Sequence, residues 1–192
     1  MKIITKDEPS CSPQRCEKRL NAIRPYLAPG GVGVELGVFK GAFSEYLLST
    51  NPRKLFLVDP WYRLFPEWKW AKGERSTVAA FSTILGAYRK EIEQGLVEPV
   101  VEFSEVFLGN LPDRSLDWVY IDTSHKYEQT MMELARCLTK VKPSGYIIGD
   151  DFYEDPNSIH HGVCRAVREL EKAGKIKVVM AGVADQFVAQ II

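Results

Sequence analysis

Short apolar runs alternate along this chain with longer stretches whose apolar residues recur every three or four positions. The runs are Val32 to Gly37, Lys54 to Asp59, Val97 to Phe103, Leu116 to Asp122 and Tyr146 to Asp151. Four to eight residues of this kind, bounded by Gly, Pro or Ser, read as buried strands. Between and around them lie the helical stretches. Pro13 to Leu27 places Cys16, Leu20, Ile23 and Leu27 on one face, and Ala42 to Leu48 follows the first run. Val78, Phe81, Leu85, Tyr88 and Ile92 share a third face. Tyr127, Met131, Leu134, Leu138 and Val141 share a fourth, halted at Lys142-Pro143-Ser144-Gly145, and Ile159, Val163, Val167 and Leu170 a fifth. Two further runs, Lys177 to Met180 and Gln186 to Ile192, follow each other directly and predict an antiparallel hairpin.

Repeated strand and helix units need right-handed crossovers, which place helices on both faces of a parallel sheet. The expected fold is therefore α/β: a doubly wound, Rossmann-like three-layer sandwich with a mostly parallel seven-stranded sheet and a C-terminal antiparallel hairpin. The 192 residues suit one domain, with residues 1–30 as an N-terminal helical extension. Lys plus Arg and Asp plus Glu each total 25, so no net charge draws the chain to nucleic acid or to an anionic membrane. The opening MKIITKDEP lacks the apolar core of a secretory signal, and no stretch is long and apolar enough to span a bilayer. A soluble, cytoplasmic protein is expected. Its four cysteines, at 11, 16, 137 and 164, are expected as free thiols, since one C-x4-C pair makes no zinc site.

In open parallel sheets, ligands bind beyond the carboxyl ends of the strands. Those ends carry Glu35, Asp59, Ser104, Asp122 and the pair Asp150-Asp151. After the first strand, Gly37 and Gly41 let backbone amides approach a ligand at a helix start. The dinucleotide pattern G-x-G-x-x-G fails, because counting from Gly31 and Gly33 puts Leu36 where the third glycine belongs. The phosphate loop fails too, with Ala42 in place of its lysine. Asp59 suits both hydroxyls of a ribose, or the capping of a turn with Pro60. Trp61 would stack on adenine or cover the sheet edge. Asp122, Asp150 and Asp151 end neighbouring strands, so their carboxylates should converge and repel unless a cation neutralises them. Oxygen ligands of this kind suit Mg²⁺ or Mn²⁺; the alternative is a helix cap and a solvated rim.

The segments Val34 to Gly41, Leu57 to Trp61, Tyr120 to Tyr127 and Gly145 to Asp151 together resemble class I S-adenosylmethionine-dependent methyltransferases. The resemblance is strongest to the small methyltransferase family 24 and extends to metal-dependent O-methyltransferases acting on macrolide sugars and catechols. It covers roughly Val32 to Ile192. Phe39 stands where the superfamily's first motif has its middle glycine. The resemblance implies S-adenosylmethionine as cofactor, with Glu35, Gly37 and Gly41 at its methionine part, Asp59 at the ribose, and Trp61 and Ser104 at the adenine. It implies metal ligation by Asp122, Asp150 and Asp151, and a catalytic base at His125, three residues after Asp122. The expected reaction is methyl transfer to a hydroxyl of a small molecule or sugar. A nucleotide-dependent oxidoreductase and a non-catalytic cofactor-binding subunit are the rival readings. The aromatic and basic segment 61–76 is expected as a lid, or as packing or a contact in a homodimer. His160 and His161 are expected to face solvent.

Overall fold

The computed structural model describes residues 11–64 and 77–192. Seven strands form one sheet: β1 (Val32–Leu36), β2 (Lys54–Asp59), β3 (Val97–Val101), β4 (Leu116–Ile121), β5 (Val141–Gly149), β6 (Ile176–Val183) and β7 (Gln186–Ile191). Their order is β3-β2-β1-β4-β5-β7-β6. The first five run parallel, and β7 pairs antiparallel with both β5 and β6, as the terminal hairpin required. The order reverses between β1 and β4, which opens the crevice where such sheets hold ligands.

Each face of the sheet has its own core. On one face α5 (Ser104–Asn110), α6 (Tyr127–Lys140) and α7 (His161–Lys172) pack Leu108, Leu134, Cys137 and Val167 against Val34, Leu36, Val119 and Ile147. On the other, α1 (Pro13–Ile23), α2 (Ser44–Leu48) and α3 (Thr77–Ala87) pack Leu20, Ile23, Leu47 and Ile84 against Leu55, Leu57, Trp118 and Tyr120. Burying a large aliphatic or aromatic side chain contributes roughly 1.5–3 kcal/mol, so the two layers together hold the sheet. Gly33 makes the second layer possible: a Cβ there would lie 2.1 Å from the Trp118 ring, so the glycine leaves room for the indole.

Of the N-terminal extension, residues 1–10 lie outside the described residues, and α1 packs Cys16, Leu20 and Ile23 into the second core. Ser12 caps α1, its hydroxyl accepting from the Arg15 amide, and Pro13 opens the helix where its missing N–H costs nothing. The first turn brings Cys11 and Cys16 to a Cα separation of 5.8 Å, within the range a disulfide spans, and the two are joined. This corrects the expectation of free thiols, which holds for the buried Cys137 and Cys164.

Three further expectations are corrected. The third helical stretch buries Thr77, Ala80 and Ile84, while Val78 and Leu85 face solvent. Its stripe has the expected period but is displaced by one residue toward smaller side chains, and the helix breaks at Tyr88 before α4 (Arg89–Glu93). The short α5, absent from the sequence reading, follows β3 directly. Lys142 to Gly145 forms an irregularity inside β5 and not a loop before it, since Leu116 pairs with Val141 and Trp118 with Tyr146. Segment 61–76 lies outside the described residues from 65 onward; Trp61–Leu64 forms a 3-10 turn. Among the described residues, no helix is long and apolar enough to cross a membrane.

Candidate functional site

A cavity of about 1050 Å³ opens at the carboxyl ends of β1, β2, β4 and β5. Its walls include Glu35, Gly37, Asp59, Ser104, Asp122, His125, Asp150 and Asp151, so eight of the ten expected site residues come together. Gly41 and Trp61 do not line it.

The β1 end is shaped by close backbone approach. Gly37 has φ +85°, and a Cβ there would stand 2.0 Å from the Asp122 carbonyl oxygen. Only glycine lets this turn lie against the end of β4. Asp59 then holds the loop in place. Its Oδ2 accepts from the Val38 and Phe39 amides at 3.0 and 2.9 Å, and its Oδ1 from the Trp61 amide at 2.8 Å. A carboxylate has about four acceptor positions, so one remains for a ligand hydroxyl. Burial raises the Asp59 pKa, and these three amides oppose the shift. The same turn swings Trp61 inward at φ 35°, where it is wholly buried, 4.9 Å from the Phe81 ring, and donates its indole N–H to the Phe39 carbonyl. Phe103, beside Ser104, lines the cavity, as do Phe39 and Phe43.

Glu35 is buried, 2% exposed, and accepts a hydrogen bond from the Ser44 hydroxyl. Burial pushes its carboxyl up to about 8, against the lowering effect of Ser44. Ser104 joins a network the sequence did not reveal. It donates to the buried Glu133, which also accepts from Thr123 at 2.9 Å and Gln129 at 3.0 Å. Burial raises the Glu133 pKa.

Two arginines of α1 stand against the acidic half. Arg19 of α1, 4% exposed, forms an ion pair with Asp150 and stands 3.6 Å from Asp122. Arg15 lies 3.5 Å from Asp151 and 3.9 Å from Asp150. Asp150 also accepts from the Gln186 side-chain amide at the start of β7, so both its oxygens are engaged. Burial raises the pKa of Asp122 and of Asp150, with neighbouring carboxylates adding and Arg19 opposing. Arg19 and Arg15 take up part of the negative charge that would otherwise draw a Mg²⁺ ion to Asp122, Asp150 and Asp151.

His125 follows β4 in a left-handed conformation, φ 56°, and Asp151 does the same after β5 at φ 57°. Such backbone states cost free energy in non-glycine residues and cluster at functional sites. The turn aims His125 Nδ1 at Asp151 Oδ2, 3.4 Å away, and Nε2 at Asp122 Oδ1, 3.7 Å away. Burial lowers the His125 pKa, so the ring is neutral at pH 7. His160, expected to face solvent, instead sets its ring edge-on to His125 with centroids 4.9 Å apart. Gly162 permits this: a Cβ there would come within 2.5 Å of the Tyr127 backbone nitrogen and 2.9 Å of the His125 carbonyl oxygen.

Arg19 left a sequence signal, an arginine on the same helical face as Cys16, Leu20 and Ile23. His160, Gln186 and Glu133 left none, since long-range packing alone brings them to the site.

The sequence profile of the family described as Methyltransferase domain matches residues 34–152, more than half of the chain. No curated protein matches in sequence. A solved protein from Corynebacterium glutamicum superposes with a TM-score of 0.69 at 10% identity, covering 95% of this chain and 82% of its own. An O-methyltransferase from Bacillus cereus, in complex with SAH, gives 0.65 at 14%, covering 97% and 84%. Precorrin 8W decarboxylase from Methanobacterium thermoautotrophicum gives 0.60 at 17%, covering 97% and 93%. At these identities the likeness speaks for the fold, and the sequence profile for the family. With the strand order, the crevice at its reversal and the carboxylates around it, the chain belongs to the methyltransferase domain family and carries the class I methyltransferase fold.

Proposed function

We propose that this protein transfers a methyl group from S-adenosylmethionine to a hydroxyl of a small-molecule acceptor. The observation that carries the reading is one continuous cavity in which Glu35, Gly37 and Asp59 line one half and His125 stands in the other. Glu35 and the Gly37 turn take the methionine part of the cofactor, and the open acceptor position of Asp59 a ribose hydroxyl. Ser104 and Phe103 border the adenine, since Trp61 is packed away from the cavity. The acceptor oxygen attacks the sulfonium methyl in line. An O–CH₃ bond forms, the S–CH₃ bond breaks with its electron pair returning to sulfur, and the hydroxyl proton passes to the neutral ring of His125. Arg19 offsets part of the charge of Asp122 and Asp150. A small-molecule acceptor suits a cavity of this size better than nucleic acid suits a chain without net charge.

The test is calorimetric titration with S-adenosylhomocysteine, followed by methyl transfer from labelled cofactor to a panel of hydroxylated acceptors. Micromolar binding is expected. His125→Ala should abolish turnover and spare cofactor affinity, whereas Asp59→Ala should weaken the cofactor. Failure of the wild type to bind S-adenosylhomocysteine would retire the reading.

A further inference from the structure

The acidic half divides into two parts with different chemistry. Asp122 and Asp150 share the buried guanidinium of Arg19. On the other side of Asp151, three ligand atoms from separate segments converge: His125 after β4, Asp151 after β5 and His160 before α7. All three atoms lie within 4.8 Å of one another.

We propose that His125 Nδ1, Asp151 Oδ2 and His160 Nδ1 form a binding site for a borderline divalent transition-metal ion such as Zn²⁺ or Co²⁺, and not for Mg²⁺. The spacing is one support. In a tetrahedral site with ligands about 2.1 Å from the ion, neighbouring ligand atoms stand about 3.4 Å apart. Asp151 Oδ2 lies 3.4 Å from His125 Nδ1 and 3.5 Å from His160 Nδ1. A second support is independent of spacing: Nδ1 of His160 is buried and makes no hydrogen bond among the described residues. It meets Asp151 Oδ2 at 3.5 Å, beyond good hydrogen-bond geometry, and an ion between the two would satisfy both. A third is the group behind the ligand. Nε2 of His125 faces Asp122 at 3.7 Å, and a metal-bound histidine characteristically turns its other nitrogen to a carboxylate, which fixes the tautomer. Two imidazoles and one carboxylate are donors that zinc, cobalt, iron or manganese accepts readily, whereas magnesium demands an oxygen shell. Gly162 has a defined part, since any side chain there would push His160 away from His125.

The site rests on no assumption about the cofactor, but it sharpens the role of His125 in the proposed reaction. An ion held there would supply charge that lowers an acceptor hydroxyl's pKa, so that the proton could pass to water. His125 would then serve as a ligand and accept the proton only when the site is empty.

The experiment is a titration of the chelator-treated full-length protein with Co²⁺, followed by the visible absorption of low-symmetry cobalt and by calorimetry. One equivalent should bind with micromolar affinity, a thousandfold excess of Mg²⁺ should leave the bands in place, and Zn²⁺ should remove them. His160→Ala should weaken Co²⁺ at least tenfold. His161→Ala should leave it unchanged, because that ring is held at the Tyr153 carbonyl, 3.1 Å away, outside the triad. Absence of cobalt binding, displacement by equimolar Mg²⁺, or full affinity in His160→Ala would each overturn the site. S-adenosylhomocysteine binding, measured on the same samples, separates this failure from failure of the methyl-transfer reading.

Discussion

Glu35 offers a quantitative test of the cofactor half. Its carboxyl sits at about 8 because burial opposes its ionisation. At pH 7 such a group is protonated in about nine molecules of ten, and at pH 9 in about one of ten. S-adenosylhomocysteine brings an α-ammonium group, and an opposite charge beside a carboxyl favours the ionised form. Binding should therefore expel the Glu35 proton, releasing close to 0.9 proton per cofactor at pH 7 and about 0.1 at pH 9. Affinity should rise about tenfold per pH unit below pH 8 and level off above it. Titrations at one pH in buffers of low and high ionisation heat read the released protons as a slope. Glu35→Gln, which keeps an acceptor for the Ser44 hydroxyl, should abolish the slope at pH 7. A buffer-independent heat in the wild type, or the same slope in Glu35→Gln, would refute the placement of the cofactor ammonium. The unliganded protein gives a second readout of the same carboxyl. Its folded pKa is raised, so its stabilising contribution is complete below the unfolded value near 4.5 and is lost as pH rises through 8. Urea midpoints should fall over that window in the wild type and fall less in Glu35→Gln.

Removing the Arg19 guanidinium leaves the buried Asp150 and the half-buried Asp122 with only the more distant, exposed Arg15 nearby. Arg19→Met should cost about 3–5 kcal/mol at pH 8 and less at pH 5, where the aspartates can take protons; equal urea midpoints at pH 8 would sink the idea. Trp61→Ala should cost about 3–5 kcal/mol through the lost core side chain, and Trp61→Phe about 1 kcal/mol through the lost bond to Phe39. If Trp61→Phe instead weakens S-adenosylhomocysteine without loss of stability, the ring contacts adenine after all.

Much of this architecture was readable because parallel strands buried on both faces leave continuous apolar runs, and because the crevice lies at their carboxyl ends. Glu35, Asp59, Asp122 and Asp150-Asp151 could be placed on one rim from their positions alone. What escaped has separate physical causes. The seven residues of α5 are too few to show a period. In α3 the buried Thr77 and Ala80 are small while the larger Val78 and Leu85 face solvent, so side-chain size and burial point to opposite sides of the helix. For Trp61 the sequence leaves adenine contact and sheet-edge packing both open, and the Asp59-Pro60 turn decides where its ring goes. Cation choice at the aspartates depended on a helix 100 residues and more away in sequence, whose apolar face happens to carry Arg19.

The segment that marks the family, 34–152, contains the whole rim of carboxylates. Arg15 and Arg19 precede it; His160, Gly162 and Gln186 follow it. The shared part of the chain thus supplies the negative charge, while the flanks decide what answers that charge. Exchanging α1 or the α7 start between members of this family would therefore change the cationic and imidazole groups facing those carboxylates while leaving Glu35, Gly37 and Asp59 in place.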